Sequence, residues 1–115
     1  MPIGLEHDGE TIRYEVLVDS GADMSIMNAE IADLLGLDVT SGRKGQVRGV
    51  TGKPEPFYTH DVTLVVGGHK TVVPISFAEK VGQDGYGILG QKGFFTDYRV
   101  TFDYLKEEIQ VVPHR

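Results

Sequence analysis

Val16-Leu17-Val18-Asp19-Ser20-Gly21-Ala22-Asp23-Met24-Ser25-Ile26-Met27 is the stretch on which the reading of the fold turns. Its first three residues, two of them β-branched, read as the end of a buried strand. They run into a carboxylate, a hydroxyl and a glycine. Ending an apolar strand on an acid is costly unless the turn has a task, because burial there would perturb the acidity of Asp19. The Ser20 hydroxyl can hydrogen-bond sideways and fix the turn, and Gly21 lets another backbone come close. The plainer reading is a local turn or cap, since Asp, Ser and Gly favour turns on their own account. The rest of the chain decides between the two.

Upstream, Ile3 to His7, Asp8-Gly9 and Thr11 to Val18 read as a hairpin, Asp-Gly being a favoured two-residue turn. Downstream, Met24, Ile26 and Met27 take the chain back into the core as a second strand. Asn28 suits a helix N-cap. Ala29 to Leu35 then places Ile31, Leu34 and Leu35 on one helical face, and Gly36 suits a left-handed C-cap. The segment from Asp38 to Pro56 carries Gly42, Gly45, Gly49, Gly52, Pro54 and Pro56. It reads equally as a mobile hairpin with Gly49-Val50-Thr51-Gly52 at its tip or as a long surface loop. A phosphate loop fits poorly, because the glycines before Lys53 are wrongly spaced and Pro54 stands where Ser or Thr belongs. Phe57 to Val66 and His69 to Phe77 read as strands joined by Gly67-Gly68, with Pro74 at an edge or a bulge.

Gly85-Tyr86-Gly87-Ile88-Leu89-Gly90 spells a G-x-G-x-x-G pattern. A turn precedes it, and too little chain follows for a βαβ unit, so the dinucleotide reading fails on context. Gly87 to Gly90 reads instead as a short apolar strand ending in glycine, followed by a small helix over Gln91 to Thr96. That order repeats the strand, glycine turn and helix of Val16 to Leu35, without the aspartate. Val100 to Tyr104 and Glu108 to Val112 close the chain as strands around Leu105-Lys106-Glu107, with Asp103 a structural strand-end residue.

A chain of 115 residues with 40% hydrophobic content fits one domain with a modest core, residues 1–115. A net charge of -6 argues against a general nucleic-acid binder. There is no apolar run of membrane-spanning length and no secretory start. Together with the absence of cysteine, this favours a soluble, cytoplasmic setting and excludes disulfide and thiolate chemistry. His7, His60, His69 and His114 form no metal motif and read as exposed loop or strand histidines, so neither metal nor cofactor is expected.

Taken together, Leu17-Val18-Asp19-Ser20-Gly21-Ala22, the helix ending at Leu35-Gly36-Leu37, the glycine-rich segment Gly49 to Gly52 and Ile88-Leu89-Gly90 resemble the retropepsin-like aspartic proteases in order and separation. The resemblance covers nearly the whole chain. It implies an all-β, closed-barrel-like acid protease fold, one lobe per chain, with one or two short helices, active as a two-fold symmetric homodimer. By position, Asp19 would be the catalytic aspartate. Ser20 would hold the hydroxyl that locks the two active-site loops across the dimer, and Gly21 would hydrogen-bond substrate backbone. Ala22, Asp23, Val47, Gly49, Val50, Thr51, Gly52 and Ile88 would contact an extended peptide, with Phe57 a further lining candidate. Gly49 to Gly52 would form the flap tip, and Ile88, Leu89 and Gly90 would support the active-site loop from behind. Many retroviral members pair an Arg after the second glycine motif with an Asp in the active-site turn. Here Gln91 takes that place beside Asp23, so that ion pair is lost, and Lys92 or another residue must replace it. In the family, terminal strands often build the dimer, which directs attention to Met1 to Leu5 and Ile109 to Arg115.

The expected chemistry is peptide-bond hydrolysis by water activated between two Asp19 carboxyls, one from each chain. Two carboxyls about 3 Å apart cannot both ionise, so they share a proton and divide the roles of base and acid. Ala22, where a Ser or Thr would donate a hydrogen bond, favours a less acidic pH optimum. The rival reading is a non-catalytic dimerisation or peptide-binding module on the same fold.

Overall fold

The computed structural model describes residues 1–48, 53–83 and 85–114, with Val47 and Arg48 as backbone only. The expected tip Gly49, Val50, Thr51 and Gly52 therefore lies outside the described residues, as does the side chain of Val47.

Nine strands are described: β1 (Pro2–His7), β2 (Glu10–Val18), β3 (Ile26–Asn28), β4 (Arg43–Arg48), β5 (Pro54–Val66), β6 (His69–Ala78), β7 (Gly87–Leu89), β8 (Tyr98–Asp103) and β9 (Glu108–Pro113). One helix, α1 (Ala29–Leu34), and one 3-10 turn, Val39–Ser41, accompany them. The order β1-β2-β7-β3-β6-β5 closes on itself through a β1–β5 pairing, making a six-stranded barrel. Strand β4 hangs from the outer part of β5, and β8–β9 form a separate two-stranded sheet.

Turn chemistry sets the local hairpins. Asp8 and Gly9 both adopt positive φ, 45° and 84°, as a two-residue hairpin turn demands, and Gly67-Gly68 does the same at 55° and 84°. The length of β5 closes the barrel. Its first half pairs with β4 from Pro54 to Thr59, and its second half reaches β1 at Thr63 to Val65. Gly45 of β4 lies under the Phe57 ring of β5, where any side chain would clash. The segment from Asp38 to Pro56 is thus a hairpin rather than a loop. Pro74 sits opposite Asp61 in β5, upstream of the Ser76–Ala78 stretch where β6 meets β3, so its missing N–H costs no ladder bond on that side.

Inside the barrel, Leu5, Val16, Met27, Leu64, Ile75, Phe77 and Leu89 are buried. The helix is bounded as expected. Asn28 accepts a hydrogen bond from the Glu30 amide at 3.0 Å, and its Nδ2 donates to the carbonyls of Glu79 and Val81. Gly36 takes φ 75°.

Three expectations need correction. The face of α1 that packs inward is Ile31, Ala32 and Leu35, and Leu34 is 61% exposed. The buried side is rotated from the expected one because Leu35, as C-cap, points into the core. Gln91 to Thr96 forms no helix. Gly93 turns the backbone to φ 93°, and the amides of Phe95 and Thr96 bond back to the carbonyls of Gly90 and Gln91, a wider spacing than that of an α-helix. Asp19, finally, is exposed in the single chain rather than buried.

Phe77 is fully buried, and nothing around it can collapse without moving β5 or β3. Phe77→Ala should lower the unfolding free energy by about 3–5 kcal/mol, measured by urea denaturation.

Candidate active site

Parallel pairing of β2 with β7 sets Val16, Leu17 and Val18 beside Gly87, Ile88 and Leu89. The two halves of the internal repeat thus lie side by side, and both strands end at the same level. The amide of Asp19 completes the ladder by donating to the Leu89 carbonyl at 2.9 Å. Beyond that bond the chain turns sharply. Asp19 Oδ1 accepts the Gly21 amide at 2.9 Å, and the Ala22 amide donates to the Asp19 carbonyl at 3.1 Å. The carboxylate is held in one orientation by its own loop and remains open to solvent. A side chain at residue 21 would bring a Cβ within 3.2 Å of Asp19 Oδ1, so glycine keeps that oxygen accessible.

The second loop, Gly90 to Lys92, grips the first from behind. Gln91 N donates to the Ala22 carbonyl at 2.8 Å, and Lys92 N to the Asp23 carbonyl at 3.0 Å. Gly90 packs so closely on the carbonyls of Ala22 and Met24 that no side chain fits there. The Gln91 amide Nε2 reaches the Ser20 carbonyl at 2.8 Å. Gln91 therefore ties the second glycine motif to the Asp19 turn by a neutral hydrogen bond. No ion pair among the described residues involves Asp23 or Lys92.

At the centre of this contact is a residue the sequence reading missed. Ser25 is buried, and its Oγ donates to the Lys92 carbonyl at 2.8 Å while accepting the Gly90 amide at 3.0 Å. Its own amide donates to the same carbonyl at 3.1 Å, and its carbonyl accepts the Ser76 amide at 2.9 Å. The available signal was a serine between Met24 and Ile26 in a segment re-entering the core, because a buried hydroxyl needs partners.

Of the expected site residues, Asp19, Ser20, Gly21, Ala22 and Asp23 thus share one loop, and Ile88 lies beside it, paired with both Leu17 and Ile26. Val47 belongs to β4, which among the described residues pairs only with β5, and its side chain is outside the described set together with Gly49, Val50, Thr51 and Gly52. Phe57 is committed to covering Gly45. Two recesses among the described residues lie away from Asp19. One of about 580 Å³ lies between α1 and the segment after β6, bordered by Tyr14, Asn28, Glu30, Glu79 and Gln83. Another, of about 360 Å³, lies under β5 between Leu37, Tyr58 and Phe77. In the single chain the Asp19 carboxylate is exposed. Among the described residues no cluster of His, Asp or Glu suits a metal ion, and no helix is long and apolar enough to cross a membrane.

Ser25→Ala would leave the Gly90 amide without its buried acceptor and remove one donor from the Lys92 carbonyl. It should lower stability by about 1–3 kcal/mol in denaturant unfolding. Gln91→Ala, at an exposed side chain, should change stability by less than about 1 kcal/mol in the same measurement.

Solved structures share this fold. A retropepsin-like aspartic protease from Rickettsia conorii superposes with a TM-score of 0.67 at 17% identity, covering 97% of this chain and 88% of that one. The EIAV protease complexed with the inhibitor HBY-793 superposes with a TM-score of 0.55 at 23% identity, covering 79% of each chain. At these identities the likeness is one of fold. No curated protein matches the sequence. A family model described as aspartyl protease matches residues 3–92, the segment that contains the barrel and both loops of the site, and the chain belongs to that family.

Proposed function

We propose that this chain is an aspartic endopeptidase that acts as a homodimer, with Asp19 of each copy forming the catalytic pair. The observation that carries the reading is the Asp19 turn. A carboxylate stands at the end of β2, oriented by Gly21 and buttressed from behind by Gly90, Gln91 and Ser25, yet open to solvent on its free side. Such a group is built to meet something. In a two-fold arrangement it meets its own copy, since an isologous contact brings identical residues together at the axis.

The pair shares one proton. The ionised carboxyl takes a proton from a water held between the two, and the hydroxide adds to the peptide carbonyl carbon. The protonated carboxyl gives its proton to the carbonyl oxygen. The gem-diol intermediate then collapses: the first carboxyl passes its proton to the amide nitrogen, the second takes a proton from a gem-diol hydroxyl, the C–N bond breaks, and an acid and an amine leave. Protons balance over the cycle, and neither metal nor cofactor takes part.

The other residues have supporting roles in this reading. Ser20 locks the two loops across the axis. Gly21, Ala22 and Asp23 meet the substrate backbone and its near side chains. Val47 and Ile88 line the walls, and Gly49, Val50, Thr51 and Gly52 close over the peptide and exclude water. The peptide binds extended, through main-chain hydrogen bonds, with pockets reading alternate side chains.

Cleavage of a diverse peptide mixture across roughly pH 3 to 8 tests the reading, with wild type beside Asp19→Asn at matched dimer content. Wild type should cleave with a bell-shaped pH dependence, and the variant should lose about four orders of magnitude of kcat or more. Equal cleavage by both would remove Asp19 from the chemistry. A confirmed wild-type dimer that cleaves nothing would favour a binding module. A second prediction concerns Ala22. A serine there would donate a hydrogen bond to the ionised pair and favour that form, so Ala22→Ser should move the alkaline limb of the pH–rate profile to lower pH.

A further inference from the structure

One line of paired residues crosses the sheet from the β4–β5 hairpin to the strand that delivers Asp19. Arg43 stands opposite Thr59, Thr59 opposite Ser76, Ser76 opposite Ile26, Ile26 opposite Ile88, and Ile88 opposite Leu17. Residues opposite each other in a ladder point to the same face of a sheet, so these side chains share one face. It is the face turned away from the barrel interior, because their chain neighbours Val16, Leu89, Met27 and Phe77 belong to the core. Leu17 ends the line two residues before Asp19.

Two hydroxyls stand in the middle of this line. Thr59 Oγ1 and Ser76 Oγ lie 2.8 Å apart, with Ser76 buried and Thr59 half-buried. Their place is a crossing of pairings. Tyr58 and Thr59 are the residues of β5 that pair with β4 on one side and with β6 on the other. Strand β6 makes a similar transfer at Ser76 and Phe77, which pair with both β5 and β3. The Ser76 amide donates to the Ser25 carbonyl at 2.9 Å, and the Ser25 hydroxyl holds Gly90 and Lys92 behind the Asp19 turn. The next side chain, His60, ties the hairpin to the turn that precedes it, with Nε2 at 2.8 Å from the Val39 carbonyl, and gives no tie to β6. A satisfied hydroxyl pair fixes distance and orientation where apolar packing beside Ile26 would leave both looser.

We propose that Thr59 and Ser76 are positioning residues: their hydroxyl bond sets the stance of the β4–β5 hairpin relative to the Asp19 turn, and with it the strength with which a peptide is held. This rests on the reading above in which residues 49–52 close over the peptide. Breaking the bond leaves the Asp19 loop gripped by Ser25, Gly90 and Gln91, so the chemistry of a bound peptide is unchanged. What weakens is the hold of the hairpin, in the ground state and the transition state alike. Such a loss falls on KM and spares kcat.

Peptide cleavage and amide hydrogen exchange test this, with all variants at matched dimer content. Thr59→Val alone leaves the buried Ser76 hydroxyl without its partner and should also lower stability. Combining Thr59→Val with Ser76→Ala replaces both groups by apolar ones of similar shape and should regain that stability. A pair that served stability alone would then return KM to the wild-type value. The positioning role instead keeps KM raised about three- to tenfold in the double variant, with kcat within about twofold of wild type. Exchange over β4 and residues 58–60 should quicken by about the same factor, with β1 and β2 unchanged. Thr59→Ser keeps the hydroxyl and should match wild type in both readouts. If the double variant fails to fold, Thr59→Val against Thr59→Ser is read in the same way. A stable double variant with wild-type KM, or a Thr59→Ser as impaired as Thr59→Val, would overturn the positioning role and leave the part played by Asp19 standing. If wild type cleaves no peptide, the peptidase reading falls, and exchange alone decides the tie: faster over the hairpin supports it, and equal to wild type overturns it.

Discussion

The hydroxyl of Ser25 joins two stretches of chain that are 65 residues apart, and the candidate site depends on that junction. One oxygen accepts the Gly90 amide and donates to the Lys92 carbonyl, so both loops at the ends of β2 and β7 are indexed to a single atom. In a buried position such bonds are worth most when complete, since a half-satisfied group there costs its desolvation in full. The close packing of Gly90 on the Ala22 and Met24 carbonyls follows from the same requirement. Asp19 inherits its orientation from a rigid base that its own exposure would not supply.

Strand β4 is built differently. Among the described residues it pairs only with β5, and side-chain contacts accompany that pairing. Phe57 covers Gly45, His60 Nε2 lies 2.8 Å from the Val39 carbonyl, and Lys80 pairs with Glu55 at 3.4 Å. The ion pair is largely solvated on the lysine side and adds little rigidity.

Elements governed by neighbours in sequence were legible in the sequence. Asp8-Gly9 and Gly67-Gly68 marked their hairpins, and Asn28 and Gly36 bounded α1, because each acts through its own backbone geometry. Asp19, Ser20 and Gly21 were legible as a group because a strand that ends on a carboxylate is locally anomalous. The failures lie where distant contacts decide. Leu34 faces solvent because the packing of α1 on β6 and β3 sets its rotation, which helical spacing leaves open within one turn. Gln91 to Thr96 has composition suited to a helix, but its backbone is engaged by Asp23, Ala22 and Ser25. Ser25 itself was invisible because its importance lies in its partners, Gly90 and Lys92. The neutral substitute for the missing ion pair, Gln91 to the Ser20 carbonyl, is a matter of reach across 71 residues of sequence and has no local signature.

The parallel pairing of β2 with β7 has a consequence for the order in which the molecule assembles. The β5–β6 and β1–β2 hairpins close over two-residue turns and can form early, whereas Val16–Val18 and Gly87–Leu89 must find each other across nearly the whole barrel. The entropy of closing so long a loop is recovered only after the intervening strands are in place. The Asp19 turn therefore depends on contacts between segments far apart in sequence and is complete only when β2 and β7 are paired. A chain in which β2 and β7 are unpaired carries the aspartate without the geometry that Gly90, Gln91 and Ser25 give its loop.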